Sequence, residues 1–136
     1  MKRKKHDKGF SLVELIVAAL IVGIIAVALA PQAIKWVVAA KENTDVRAKD
    51  NLKSVGQVAV AEFKGKGGVL ADAEYLITSS GVSAVGGTDP NNGMLALLTE
   101  YTGGDFPKVQ NENGKVFQIE IQDTGVVTVS TVSGTY

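Results

Sequence analysis

Glu14 is the residue whose position in this sequence most requires a chemical explanation. It opens an apolar stretch, and no other charged residue occurs between Leu15 and Ile34. A carboxylate inside hydrocarbon costs a few kcal/mol, so such a residue usually has a partner or a function. Ser11 is the only other polar residue near it. We therefore predict that another molecule supplies the positive charge that neutralises Glu14.

The sequence contains no group of residues typical of a catalytic site. The only histidine, His6, lies in a short basic segment at the N-terminus, so the serines have no histidine to act as a base. The chain has no cysteine, which excludes disulfides, thiol nucleophiles and cysteine-type zinc sites. We predict that the chain is not an enzyme and that it uses no cofactor.

One stretch partly resembles a calcium-binding loop. Asp89, Asn91 and Glu100 stand at its first, third and twelfth positions. The fifth and sixth positions are Gly93 and Met94, where a ligand and a glycine are required. The same stretch is rich in turn-forming residues, which explains its composition as a turn and helix cap. The sequence therefore favours a cap and predicts no metal site, with calcium near Asp89 as the weaker alternative.

The segment that follows Glu14 is long and apolar enough to cross a membrane. Residues 15–34 carry no charge, and ~20 apolar residues span a hydrocarbon layer of ~30 Å. A core helix of a small soluble protein would show a polar face, but this segment is apolar all round. A secretory signal is the other alternative, although its apolar region is usually only ~7–15 residues long. The first nine residues carry a net charge of +4, which predicts a cytoplasmic N-terminus.

The N-terminal pattern resembles a known family. Basic residues, then Gly9-Phe10-Ser11-Leu12-Val13-Glu14, then the apolar segment are similar to the class III signal of type IV pilins and pseudopilins. In that family a prepilin peptidase cuts after the glycine, here Gly9, and methylates the new terminal amine, here on Phe10. The resemblance covers about residues 2–35. It implies that Glu14 neutralises the Phe10 amine of a neighbouring subunit during assembly.

Such a pair is physically reasonable, because an ammonium and a carboxylate that are each costly in a low dielectric offset one another. Gly23 and Pro31 also stand where many type IV pilins carry a glycine and a proline. Pro31 has no amide donor and clashes with the preceding turn, which predicts a bend. The resemblance suggests that the helix between Gly23 and Pro31 can unwind in a filament. Ordinary transmembrane helices also tolerate both residues, so that simpler explanation stays open.

The helical pattern continues beyond the apolar segment. Residues 32–64 contain frequent Ala, Lys and Glu and no proline. Apolar residues at spacings of three and four form a stripe: Leu52, Val55, Ala59 and Phe63. We predict one long helix from Phe10 to Lys64, bent near Pro31, that ends in the glycine-rich residues 65–68. The stripe predicts that a headpiece covers the second half of this helix.

The remaining residues predict a small headpiece. The sequence predicts mostly loop over residues 69–106, with a short helix over Met94–Leu98. Alternating apolar and polar residues on both sides of Asp123-Thr124-Gly125 predict a β-hairpin over Lys115–Ser133. The expected class is α+β, with a long N-terminal helix packed against a small antiparallel β headpiece. The expected division is a leader (1–9), a transmembrane and assembly half-helix (10–34), an exposed half-helix (35–65) and a headpiece (66–136).

The resemblance implies a structural function. The protein is expected to be a pilin that polymerises through its N-terminal helix into an extracellular type IV pilus. A pseudopilin of a type II secretion or competence machine is the close alternative. An uncleaved single-span protein with an adhesive or binding headpiece is the third. Adhesion, twitching motility, biofilm formation and DNA uptake all stay open as roles of the fibre.

The partners implied by the resemblance are further copies of the chain in a helical filament, the membrane, a prepilin peptidase, an assembly platform and minor pilins. The expected location is the cytoplasmic membrane before assembly, with the N-terminus inside, and the extracellular pilus afterwards. No nucleic acid is expected as a partner of the subunit. Its basic residues concentrate in the first nine positions and do not form a patch on a folded domain.

Overall fold

The computed structural model of the chain describes residues 10–104 and 106–134, and it confirms the predicted α+β class. The elements in chain order are α1 (Leu12–Gly65), β1 (Ala73–Thr78), β2 (Gly81–Ala84), α2 (Met94–Thr102), β3 (Lys115–Ile121) and β4 (Val127–Ser133). The chain divides into two compact units, residues 1–38 and residues 39–136. Helix α1 contributes residues to both units, and the sheet belongs to the second.

Helix α1 ends at the predicted glycines through a defined hydrogen-bonded cap. The Gly68 amide donates to the Phe63 carbonyl at 3.0 Å, and the Gly67 amide donates to the Lys64 carbonyl at 2.9 Å. This pair of bonds is a Schellman motif, which requires a left-handed residue after the helix. Gly67 meets that requirement with a φ of 81°. The predicted end of the helix is therefore confirmed, and the cap explains why glycine occurs there.

The four strands form one antiparallel sheet in the order β2-β1-β3-β4. The predicted C-terminal hairpin is confirmed as β3 and β4, which pair from Lys115 opposite Ser133 to Ile121 opposite Val127. The Gly125 amide donates to the Gln122 carbonyl at 2.8 Å and closes the turn between these strands. The central strand β3 pairs with β1 on its other side.

The prediction of mostly loop before α2 was wrong for β1 and β2. Tyr75, Leu76 and Ile77 lie in β1, which pairs with the four-residue strand β2. Their consecutive apolar side chains do not alternate with polar ones, so the usual period of two is absent. Tyr75 and Ile77 are fully buried while Leu76 is half-buried on the other side of the sheet. Pairing with β3 makes this short segment a strand.

The core lies between the second half of α1 and one face of the sheet. Leu52 and Ala59 of the predicted stripe are buried, and Val55 and Phe63 pack against the same cluster. The principal buried side chains of the sheet are Tyr75, Ile77, Phe117, Ile119, Ile121 and Val127. The stripe is therefore the packing face of α1 within the second unit, as predicted.

Gly56 is the point of closest approach between α1 and the hairpin. A Cβ atom added there would lie 2.6 Å from Val127 Cγ1. We expect Gly56→Ala to destabilise the second unit by about 1 kcal/mol, because ~1–3 kcal/mol of overpacking exceeds the ~1 kcal/mol gained in helix propensity. Thermal unfolding of the full chain in detergent, followed by near-ultraviolet circular dichroism, measures this loss.

The matched control is Gly65→Ala, because a Cβ atom at Gly65 would meet nothing within 4 Å. That variant is expected to unfold at the parent temperature or slightly above it. Val127→Ala removes the methyl groups that clash with the new Cβ atom, so the double variant should show a coupling energy of about 1 kcal/mol. Strictly additive losses for Gly56→Ala and Val127→Ala would contradict the proposed close contact.

Candidate functional site

The candidate site is the beginning of α1, where a side chain caps the helix. Ser11 precedes the first helical residue, and its Oγ accepts a hydrogen bond from the Val13 amide at 3.3 Å. The Leu15 amide donates to the Ser11 carbonyl at 3.1 Å and makes the first helical bond. Ser11 and Glu14 have the spacing of a capping box. Sequence reasoning treated Ser11 only as a nearby polar residue and missed this capping role.

Glu14 lies in the first turn of α1 and is exposed. A carboxylate at this position is favoured by the positive end of the helix dipole. No ion pair involves Glu14 in the part of the chain that the structure describes. Phe10, four residues before it, is also exposed, at 76% of its surface. The start of the helix thus presents a carboxylate and the residue expected to carry the new amine.

The apolar segment of α1 leaves all its side chains uncovered in the single chain. Every residue from Leu15 to Ile34 is exposed. Among the described residues, α1 is the one helix long and apolar enough to cross a membrane, judged by its length and composition. An isolated helix that exposes this much apolar surface needs lipid or other protein around it.

Gly23 and Pro31 both lie inside an uninterrupted α-helix. A Cβ atom at Gly23 would meet no atom within 4 Å, so packing within the chain does not explain its glycine. The local unwinding suggested for this stretch concerns an assembled filament and stays a prediction, as does the bend at Pro31. Gly9 and the rest of the expected leader lie outside the described residues, so the cut after Gly9 also stays a prediction.

The residues considered for calcium form a hydrogen-bonded cap. Asp89 Oδ1 accepts from the Tyr75 hydroxyl at 2.6 Å and from the Asn91 amide at 3.1 Å. Its Oδ2 accepts from the amides of Gly93 and Leu95, each at 3.0 Å, at the start of α2. Both carboxylate oxygens are thus occupied by donors within the chain. The predicted turn and helix cap is what the structure shows at Asp89.

Asn91 adds further hydrogen bonds to this cap from a buried position. It is buried, and its side chain exchanges two hydrogen bonds with the backbone of Ala71, at 2.6 and 3.0 Å. Its Nδ2 also donates to the Tyr75 hydroxyl at 3.3 Å. Glu100, the third residue of the would-be loop, is exposed and lies further along α2. Asp89 and Asn91 therefore share one hydrogen-bonded network, and Glu100 forms no hydrogen bond to either of them among the described residues.

The cap shifts the pKa values of its two ionisable groups in opposite directions. Burial alone raises the pKa of Asp89, but hydrogen bonds from Leu95, Tyr75, Gly93 and Asn91 together outweigh it, and the net pKa is lowered. The pKa of Tyr75 is raised, first by burial and then by its bond to the Asp89 carboxylate. At neutral pH the pair is therefore a neutral hydroxyl that donates to a charged carboxylate.

Asp45 is a second structural carboxylate, which sequence reasoning missed. It lies on α1 within the second unit, is buried, and accepts from two successive backbone amides, Gln110 at 2.7 Å and Asn111 at 2.9 Å. These bonds fasten the loop before β3 to the helix. The signal in the sequence was only one acidic residue on a helix rich in charges, which does not distinguish a buried carboxylate from a solvated one.

A surface network also joins the two helices of the second unit. Glu62 on α1 pairs with Lys66 and accepts a hydrogen bond from the Tyr101 hydroxyl on α2. The bond to Lys66, followed by the bond to Tyr101, lowers the pKa of Glu62. Lys66 and Tyr101 are exposed and Glu62 is half-buried, and their contacts hold α2 against the end of α1.

The comparisons with known proteins bear on the N-terminal site. Residues 4–30 match the family model described as the prokaryotic N-terminal methylation motif. No curated protein and no solved structure gives a significant match. The chain thus carries the class III signal peptide of type IV pilins, which confirms the resemblance at this level and supports a pilin-like or pseudopilin-like protein. Proteins with this motif are structural rather than enzymatic.

Proposed function

We propose that this chain is a pilin that polymerises into an extracellular type IV pilus. A prepilin peptidase cuts between Gly9 and Phe10 and methylates the Phe10 amine. The mature chain then contains nine basic and thirteen acidic residues, because cleavage removes five of the former and one of the latter. Assembly pairs the Glu14 carboxylate of one subunit with the Phe10 amine of its neighbour.

The observation that carries this proposal is the exposed carboxylate of Glu14 inside the matched motif. It stands at the start of a segment whose residues are all exposed and, after Glu14, uncharged. A bilayer can surround the apolar side chains, but its hydrocarbon does not neutralise the carboxylate. A second copy of the chain satisfies both, because it offers an apolar helix and a terminal ammonium at the same end. The site therefore favours polymerisation over permanent residence as a single-span anchor.

The proposed division of the chain follows from these requirements. Residues 1–9 are the leader, residues 10–34 pass from the membrane to the filament interior, and residues 35–65 form the exposed half-helix. Residues 66–136 complete the headpiece, which lies outside the membrane. The motif and the apolar helix support membrane anchoring before assembly. The proposed partners are further copies of the chain, the peptidase, an assembly platform and minor pilins.

A pseudopilin is the second candidate, since the matched motif also supports a pseudopilin-like protein. It would use the same cleavage and the same Glu14 contact in a short filament of a secretion or competence machine. Deletion of the gene separates the two functions. Loss of long surface fibres is expected for a pilin, whereas loss of secretion or DNA uptake from cells without such fibres indicates a pseudopilin.

N-terminal sequencing of the mature protein from membranes or sheared fibres tests the proposed processing. We expect a sequence that begins at residue 10, with a mass increase of one methyl group on Phe10. The first cycles should then read Phe-Ser-Leu-Val-Glu. Coexpression with an inactive peptidase is the control and should preserve the full leader. A mature protein that begins at Met1 would contradict the processing and favour an uncleaved single-span protein.

A further inference from the structure

Asparagine is followed directly by glycine twice in this chain, at Asn92-Gly93 and at Asn113-Gly114. In such a pair the backbone nitrogen of the glycine can attack the side-chain carbonyl of the asparagine, because glycine has no Cβ atom to hinder the approach. The other asparagines precede residues that carry a Cβ atom, namely Thr44, Leu52, Asn92 and Glu112. The two Asn-Gly pairs are therefore the positions at which this attack within the chain meets least hindrance.

The first pair is held in place, and the nitrogen that would attack is already bonded. The Gly93 amide donates to Asp89 Oδ2 at 3.0 Å, and the Gly93 carbonyl accepts from the Leu97 amide at 3.2 Å. The attacking species is the glycine amide after it has lost its proton. Loss of that proton beside the Asp89 carboxylate would place two negative charges next to each other, so this carboxylate opposes the reaction.

The second pair lacks both of these restraints. Asn113 and Gly114 are exposed, in the loop that precedes β3. Neither the Asn113 side chain nor the Gly114 amide forms a hydrogen bond within the part of the chain that the structure describes. Gly114 is held only through its carbonyl, which accepts from the Gly134 amide at 3.0 Å. Water can therefore reach both the attacking nitrogen and the side-chain amide.

We propose that Asn113 is a site of spontaneous deamidation, and that Asp89 protects Asn92 from the same reaction. The deprotonated Gly114 nitrogen forms a bond to Asn113 Cγ, the Cγ–Nδ2 bond breaks, and Nδ2 leaves as ammonia with a proton from water. The product is a succinimide ring. Water then adds to one of its carbonyl carbons, the bond from that carbon to the Gly114 nitrogen breaks, and the nitrogen regains its proton. Opening at Cγ gives aspartate, and opening at the main-chain carbonyl gives isoaspartate.

Both products place a new carboxylate at residue 113, where the loop enters the sheet. It lies beside Glu112, whose own carboxylate pairs with Lys115 at the start of β3. Isoaspartate also adds one methylene group to the main chain, directly before the Gly114 carbonyl that accepts from Gly134. The modification thus acts where the residue after β4 is bonded to the residue before β3. It requires only the folded second unit and water, so it does not depend on the proposed function.

Peptide mapping of the full chain in detergent, after incubation in mildly alkaline buffer, tests this proposal. Mass spectrometry measures the fraction of each Asn-Gly pair whose amide has become a carboxylic acid. We expect Asn113 to react at least ~10-fold faster than Asn92, because the Gly93 hydrogen bond must open before Asn92 can react. Isoaspartate, detected by enzymatic carboxyl methylation, should appear together with aspartate at residue 113. Equal rates at the two pairs, or aspartate without isoaspartate, would overturn the proposal.

The same chain unfolded in guanidinium chloride is the control for effects of local sequence. Both pairs lose their folded surroundings there, so their rates should become similar, and a slow Asn92 in the unfolded chain would contradict protection by the fold. Asn113→Gln should abolish the reaction at residue 113, since its longer side chain would have to close a larger ring. Asp89→Asn keeps an oxygen acceptor but removes the charge. With folding verified by near-ultraviolet circular dichroism, it should accelerate Asn92 alone, and an unchanged rate would refute the role of Asp89.

Discussion

Replacing Glu14 by valine is expected to abolish filament assembly while cleavage before Phe10 and membrane insertion continue. The substitution removes the carboxylate and leaves the neighbour's ammonium without a partner in an apolar interior. Loss of one member of a buried ion pair costs about 3–5 kcal/mol, which at ~1.4 kcal/mol per tenfold step reduces each subunit contact at least ~100-fold. Electron microscopy of cells, with immunoblots of sheared fibres and membranes, measures the result.

Two further variants separate the ion pair from other roles of Glu14. Glu14→Gln keeps the length and hydrogen-bonding capacity needed at the third helical position beside Ser11, but it removes the charge, so it should also fail to assemble. Glu42→Val deletes an exposed carboxylate on α1 beyond the apolar segment, and it should assemble normally. Normal fibres from Glu14→Val would refute the pairing, since nothing else proposed at the site neutralises the amine.

The second large effect is expected at Asp89. Asp89→Ala removes acceptors for the Tyr75 hydroxyl, for two backbone amides at the start of α2 and for one in the turn before it. Because Tyr75 is fully buried, its hydroxyl loses its strongest acceptor without gaining water. We expect a loss of about 3 kcal/mol in the free energy of unfolding of the second unit. Asp50→Ala, at an exposed position on α1, should change this free energy by less than ~0.5 kcal/mol.

The same carboxylate should give the stability a specific dependence on pH. The folded-state pKa of Asp89 is lowered from its usual value of 3.8, so the unfolded chain binds a proton more readily than the folded one. Its contribution is present above pH ~4 and is lost as the pH falls through the lowered pKa. Asp89→Asn, measured by thermal unfolding between pH 6 and pH 2, should therefore lose less stability on acidification than the parent. Parallel curves for the two proteins would contradict the assigned role.

Several features of this protein were predictable because they depend on local sequence. The order of residues from Gly9 to Glu14 is linear, so the methylation motif could be read without a fold. The apolar segment, the stripe that includes Leu52 and Ala59, and the glycines that end α1 follow from helical period and backbone conformation. The hairpin of β3 and β4 was predictable because its apolar residues alternate on either side of a turn.

Tertiary structure decided the features that depend on distant residues. β1 became a strand because β3 offers it a pairing edge, since its apolar run of Tyr75, Leu76 and Ile77 has no period of its own. Asp45 differs from a solvated carboxylate only in the two backbone amides of residues 110–111 that folding brings to it. At Asp89 the turn and cap were predictable from neighbouring residues, but the bond from the buried Tyr75 hydroxyl was not. Local sequence could not show these two contacts, because a hydrogen bond between distant residues requires a geometry that only the folded chain supplies.

At Glu14 the sequence determined some properties and the tertiary structure added others. The sequence by itself determined that a carboxylate stands at the edge of an uncharged apolar segment, because charge and hydropathy are properties of residue types. The tertiary structure added that this carboxylate is exposed and lies in the first turn beyond the Ser11 cap. The cap depends on the folded helix start, because the Ser11 hydroxyl can accept from the Val13 amide only when the first turn has formed.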